Sequence, residues 1–296
     1  MKRPSILAFG DNVVDCYAEQ DLMYPGGNCL NVAVFARRFG CDSAYAGAVA
    51  DDPAGTLIVR SLEEERVEIA SLRREAGHTA FCVIKTIDGE RTFVGADLGV
   101  SIVAPTPYDL KRMTGVDAVH TGRSSQVDRW LGAIAERTRL SFDMATVRDI
   151  GEIESAAPHC FLLSLSGGDL SAHDALALSR KARSAGAQWV LTTRGAAGAL
   201  LSGPYGTYET DADAISPLDT LGAGDTFIAR TLAGLLRGEQ ITMLLREAAR
   251  EAGRTCLHSG AIGHGRPIEI DRSRMKPISE IYASMEAIRQ NRDELT

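Results

Sequence analysis

Six cysteines occur in the 296-residue sequence, at Cys16, Cys29, Cys41, Cys82, Cys160 and Cys256, yet no two form a Cys-x-x-Cys pair. That scatter excludes the usual zinc spacings and a dense disulfide framework, so reduced thiols in a cytosol are expected. Long apolar runs are also missing. Nothing approaches the roughly 20 residues of a membrane helix. The N-terminal run Ile6 to Phe9 is too short for a signal segment and is soon followed by Asp11. Positive charge is in deficit: the formal net charge is −7. This argues against a nucleic-acid partner, which needs a basic face, although a few local donors suffice for a nucleotide. Two common nucleotide fingerprints are absent. No Gly-x-x-x-x-Gly-Lys-Ser/Thr run occurs, which excludes a P-loop kinase, and no Rossmann glycine run follows the first strand. Internal repeats and low-complexity linkers are lacking too.

What remains is an ordinary globular composition, 45% hydrophobic and 24% charged. Ser5 to Phe9 reads as a buried strand and Asn28 to Phe39 as a helix stopped by Gly40. Asp52-Pro53 reads as a cap followed by proline at the first helical position, opening a helix toward Glu65. Between Thr79 and Val94, β-branched and aromatic residues flank Asp88-Gly89, a dipeptide favoured in two-residue hairpins. Beyond it, strands at 118–120, 140–142, 161–165 and 189–192 alternate with helices at 127–137 and from Ser171 to Gly186. Ala199 to Leu201 and Thr207 to Glu209 flank a turn at Gly203-Pro204-Tyr205-Gly206, and two long helices follow, from about Gly224 and about Thr242. This alternation implies an α/β fold, a mostly parallel sheet with helices on both faces, plus a small β flap. One domain over residues 1–296 is expected, its flap formed near 12–25 and 78–100.

The segment Asp219-Thr220-Leu221-Gly222-Ala223-Gly224-Asp225-Thr226 precedes an apolar helical run. Small residues at a helix start leave backbone N–H groups open to an anion, and the helix dipole adds positive charge. An acid in such a turn would repel a bound phosphate. It makes sense if Asp225 accepts a proton from an incoming hydroxyl while the N–H groups stabilise charge on a transferring phosphoryl. From spacing alone, a tight turn with Asp225 as helix cap fits equally well.

The run from Asp219 to Asp225 resembles the C-terminal signature of the ribokinase/PfkB family of carbohydrate kinases. Gly26-Gly27-Asn28-x-x-Asn31-x-Ala33, followed by Gly40, resembles its N-terminal signature. Arg230 and Ala50 stand where that family usually has glycine. The resemblance implies a ribokinase-like fold and an ATP-dependent sugar kinase. Asp225 would be its catalytic base and Gly222, Ala223 and Gly224 its anion hole. Gly26, Gly27, Asn28 and Asn31 would line the sugar pocket, with Asp11 and Asp15 gripping hydroxyls. A fixed carboxylate can accept hydrogen bonds from two vicinal hydroxyls, which suits that role.

On the nucleotide side, Thr192-Thr193-Arg194-Gly195, with Gly198, resembles the family segment beside the ATP phosphates, and His258-Ser259-Gly260-Ala261 the one closing over adenine. Arg194 reads as a phosphate partner or as a solvated loop charge. Magnesium is expected with ATP, but the family's Asn-x-x-Glu motif is missing and its ligands are unknown; Asp169 is one substitute acid. The stretches around Gly10 to Tyr17, Gly27 to Val34, Arg91 to Phe93 and Val119-His120 resemble bacterial fructoselysine kinases, which implies the 6-hydroxyl of a fructosyl-amine as acceptor. His120 and Arg123 read as substrate contacts, or as a core histidine and a surface arginine. Alternatives are a kinase for another ketose, a pentose or a nucleoside, or a non-catalytic sugar-binding regulator. Residues 267–296 extend past the usual family end; Ile278 to Ile288 carries a helical apolar pattern. A homodimer through the flap is a further expectation, since open strand edges tend to be paired.

Overall fold

The computed structural model describes residues 3–87 and 90–293. Its strands are β1 (Ser5–Phe9), β2 (Val13–Tyr17), β3 (Leu22–Gly26), β4 (Asp42–Val49), β5 (Glu68–Arg74), β6 (Phe81–Ile87) and β7 (Glu90–Asp97). They continue with β8 (Ala118–Gly122), β9 (Arg139–Asp143), β10 (Cys160–Ser166), β11 (Trp189–Thr193), β12 (Ala199–Gly203), β13 (Gly206–Thr210) and β14 (Arg266–Pro267). The helices are α1 (Asn28–Arg38), α2 (Pro53–Glu64), α3 (Pro107–Met113), α4 (Leu131–Ala135), α5 (Ile150–Ala156), α6 (Ala172–Ser184), α7 (Ala223–Arg237), α8 (Ile241–Thr255) and α9 (Ile278–Asp293).

Among the described residues, nine strands form the main sheet in the order β13-β12-β11-β10-β9-β8-β1-β4-β5. It is parallel from β11 to β5, and β12 is reversed, pairing antiparallel with both β11 and β13. Alternation along β1 shows why both faces are covered. Ile6 and Ala8 enter one apolar core with α1, α2, α7 and α8. Leu7 and Phe9 enter the other, with residues of α3, α4, α5 and α6. The carboxyl ends of the parallel strands are left as the place for a ligand, as in other open α/β sheets.

A second sheet, ordered β14-β3-β2-β6-β7, stands beside the first. Its strands come from the two stretches expected to form the flap, joined by Arg266–Pro267. β6 and β7 pair antiparallel as the hairpin pattern requires; the Asp88-Gly89 turn lies outside the described residues.

Local signals explain most helix starts. Asp52 caps α2 through a 2.7 Å bond from the Gly55 N–H, with Pro53 at the first position. Ser171 caps α6. The helix expected over 127–137 is shorter. Val127 has non-helical backbone angles, Asp128–Trp130 forms a 3-10 turn, and only Leu131–Ala135 is α-helical.

Candidate active site

The first turns of α1 and α7 meet here, and each is shaped by a glycine. Gly27 precedes α1 at φ +102, and a Cβ there would lie 2.8 Å from the Asn12 Cα. With no capping side chain of its own, α1 takes its cap from the loop after β1. The Asp11 carboxylate accepts the Asn28 N–H at 2.9 Å and the Ser125 hydroxyl at 2.9 Å. A fixed negative charge is thereby set at a helix N-terminus. Gly222 precedes α7 at φ +79, where a Cβ would sit 2.3 Å from that of Ala261. Asp219, the first residue of the signature, clamps this turn. Its carboxylate accepts the Leu221 N–H and the Gly260 N–H, each at 3.0 Å, and the Tyr17 hydroxyl from β2.

Asp225 lies in the first turn of α7 and faces α1. The Asn31 amide donates to one of its oxygens at 2.7 Å and the Asn28 amide to the other at 2.8 Å. The same Asn28 amide nitrogen donates to Asp143, at the end of β9, at 3.0 Å. Both amide hydrogens are thus committed to carboxylates, which fixes the orientation of Asn28. Its oxygen must accept from His120 Nε2, 3.0 Å away, and His120 Nδ1 then accepts from the Ser141 hydroxyl at 2.9 Å. Burial holds His120 neutral, with its pKa pushed down to about 3. Burial pushes Asp225 up to about 6, against the Asn31 and Asn28 hydrogen bonds and aided by the charge of Asp11. Burial, together with the negative charge of Asp225, pushes Asp143 up to about 7. The two bridged carboxylates therefore titrate as a pair.

Two cavities flank the start of α7. The first, of about 280 Å³, is lined by Asp11, Asp15, Gly27, Asn28, Asn31 and Asp225, with walls from the second sheet and α9. The second, of about 630 Å³, is lined by Thr193, Gly195 and Gly198 after β11, by Ala223 and Gly224, and by residues of α8. Adjacent residues of one helix start thus face different cavities.

Several expected residues lie elsewhere. Gly26 packs on the Asp15 carboxylate, where a Cβ would lie 2.1 Å from an oxygen. Thr192 is buried in β11. Neither Thr192 nor Arg194 is among the residues lining the second cavity. Gly260 also stands apart from it, packed on the Tyr24 ring, because its amide is used to hold Asp219. Asp169 pairs with Arg148 at 2.8 Å, which holds its carboxyl below the usual range. His120 is fully buried, as the core-histidine reading expects, whereas Arg123 is mostly buried, paired with Asp128 at 2.9 Å and with Glu152, and is not the surface arginine that the sequence also offered. Asp143 and Ser141 carry no motif, and only their position on β9 opposite Asn28 and His120 marks them.

No cluster of three His, Cys, Asp or Glu side chains able to hold a metal occurs among the described residues. Asp213 is the single carboxylate lining the second cavity among the described residues. Such a lining fits a cation that arrives on nucleotide phosphates and keeps its waters, and it supplies no cage of its own.

Residues 5–119 and 161–268 match the model of the pfkB family carbohydrate kinases. Fructosamine kinase FrlD of Bacillus subtilis (strain 168) is 36% identical over 272 residues, covering 90% of this chain and 95% of that protein. Fructoselysine 6-kinase of Escherichia coli (strain K12) is 28% identical over 262 residues, covering 87% of this chain and 99% of that protein. Ribokinase of Arabidopsis thaliana, solved with ribose and ATP, superimposes with a TM-score of 0.76 at 18% identity, over 92% of this chain and 97% of that one. The last likeness establishes a ribokinase-like fold. Family match and fold agree with two cavities divided by one helix start: the chain belongs to the pfkB family and is an ATP-dependent carbohydrate kinase.

Proposed function

We propose that this kinase transfers the γ-phosphoryl group of ATP to the 6-hydroxyl of a fructosyl-amine. The observation that carries the reading is the division at the start of α7, where Asp225 lines the first cavity while Ala223 and Gly224 line the second. A sugar in the first cavity offers its hydroxyl to Asp225, which takes the proton as the oxygen attacks phosphorus. The new O6–P bond forms as the bond from phosphorus to the β–γ bridging oxygen breaks, and ADP leaves. Backbone N–H groups of Gly222, Ala223 and Gly224 stabilise the charge on the moving phosphoryl. Asp11, Asp15 and Asn31 position the sugar, with Gly27 leaving it room and Gly26 leaving room for the Asp15 carboxylate. On the nucleotide side, Thr193, Gly195 and Gly198 border the phosphates, with Thr192 and Arg194 behind them, while Gly260 acts at a distance by holding the Asp219 turn. Magnesium supplies phosphate charge neutralisation when bound with ATP.

The amine part of the reading rests on charge. Asp11, Asp15, Asp97 and Asp225 line the first cavity, and no Lys or Arg among the described residues does. A secondary ammonium on a sugar suits such a lining, and the named activities of the Bacillus and Escherichia relatives point the same way. A cytoplasmic location fits this chemistry and six buried cysteines that form no disulfide; no described helix is long and apolar enough to cross a membrane. A homodimer through the second sheet belongs to the same proposal, since β7 is one of its two edge strands.

The test is ADP release with Mg·ATP against fructoselysine, other fructosyl-amines, fructose, ribose, tagatose and adenosine. Turnover of a fructosyl-amine at the highest kcat/KM, lost in Asp225→Asn, is expected. Turnover confined to a plain sugar or a nucleoside would keep the kinase and overturn the amine assignment.

A further inference from the structure

The match to the family model ends at residue 268, before α9 begins, yet α9 forms part of the first cavity. Ile278, Ile281, Tyr282 and Met285 all line it. Their spacing of i, i+3, i+4 and i+7 places them on one helix face. The segment leading into α9 is fastened to the second sheet. Lys276 and Ala96 of β7 exchange two backbone hydrogen bonds of 2.9 Å, and Met275 packs over Gly95. Ile281 then packs with Cys82 and Ala96, while Tyr282 stands at the rim, 64% exposed.

These contacts give the cavity two chemically different ends. Asp225 enters from α7, on the main-sheet side. The α9 face closes the second-sheet side with apolar groups, helped by Phe93 and Leu98. On the reading that O6 lies at Asp225, the nitrogen on C1 is at the far end of the sugar, and its substituent leaves toward α9.

We propose that α9 is a specificity element supplied by the chain itself. Its Tyr282 and Met285 pack along an unbranched alkyl chain on the substrate nitrogen. The class selected is a fructosyl-amine whose secondary ammonium carries methylenes, as in a lysine linked through its ε-nitrogen. An α-linked amino acid, with a carboxylate next to the nitrogen, meets Asp11, Asp15 and Asp97 with no Lys or Arg among the described lining residues to offset them. This inference rests on the fructosyl-amine reading above and extends it to the nitrogen substituent.

The experiment compares kcat/KM for the fructose adduct of butylamine, the fructose adduct of glycine, and fructose, in the full-length chain and in Tyr282→Ala, Met285→Ala and Met285→Leu. A contact of this size in an apolar pocket is worth roughly 10-fold or more. Each alanine variant should therefore lower kcat/KM for the butylamine adduct about tenfold through KM and leave fructose unchanged, and Met285→Leu should retain what Met285→Ala loses. Preference for the glycine adduct in the unmodified enzyme overturns the substrate class. Equal losses on fructose and the butylamine adduct mean that α9 is only structural, and unchanged ratios mean that it does not touch the substituent. If fructose is turned over and neither adduct is, the fructosyl-amine reading itself falls and this inference falls with it.

Discussion

At the scale of single residues, Asn28 organises the chemistry, because its one amide joins Asp225, Asp143 and His120. As the proton acceptor, Asp225 must be ionised to act. Its carboxyl is raised to about 6, so kcat should rise with pH through an acid limb near that value and level off above it, as a pH–rate profile would show. Asp143, raised to about 7, still carries its proton over the limb in which Asp225 ionises. Asp143→Asn keeps a neutral neighbour there, so the acid limb should stay near 6. The sign for stability is the reverse of a salt-bridged acid. A carboxyl whose folded pKa is raised holds its proton more tightly in the folded state, so stability falls as pH rises from the ordinary carboxylate range through about 7. Asp143→Asn should flatten that part of a denaturation-against-pH curve. Asp225 and Asn31 are legible in the sequence because they sit in signatures. Asp143 is not, since its partner Asn28 lies 115 positions away and no local pattern announces the meeting.

Among the elements, the start of α7 is the most constrained. Alanine at Gly222 would have to adopt φ +79 and press its Cβ to 2.3 Å from Ala261. The left-handed backbone and the overpacking together should cost at least about 2 kcal/mol, visible as a lower Tm, and kcat should fall as the N–H groups are displaced. Helix starts with their own caps, such as Asp52-Pro53 and Ser171 with Asp174, can be read from the sequence because the signal is local. The strand β4 cannot. Its residues Ala44, Ala46, Gly47 and Ala48 lack the β-branched signature, and the structure shows why: a Cβ on Gly47 would lie 2.6 Å from the Gly10 carbonyl oxygen and 2.3 Å from the Tyr45 hydroxyl. Close packing on both faces selects small side chains there, and these read as neutral in a propensity scan.

For the molecule as a whole, the two sheets raise the question of how many copies work together. β7 pairs with the chain's own Lys276 at Ala96, and the homodimer proposal requires the remainder of that sheet to meet a second copy. Sedimentation equilibrium should return twice the 31.7 kDa chain mass; a single-chain mass across the working range would reject the dimer. Inside one copy, the Tyr17 hydroxyl bonds to Asp219 across 202 positions of sequence, so a strand of the second sheet grips the turn that begins α7. That grip works as a mechanical linkage. If the second sheet swings to admit sugar, it tugs on the turn expected to cradle the moving phosphoryl, so pocket closure and readiness for transfer become one event. Tyr17→Phe should then raise KM and lower kcat together in steady-state kinetics, and the enzyme would be least able to spend ATP on water at the moments when its sugar cavity stands open.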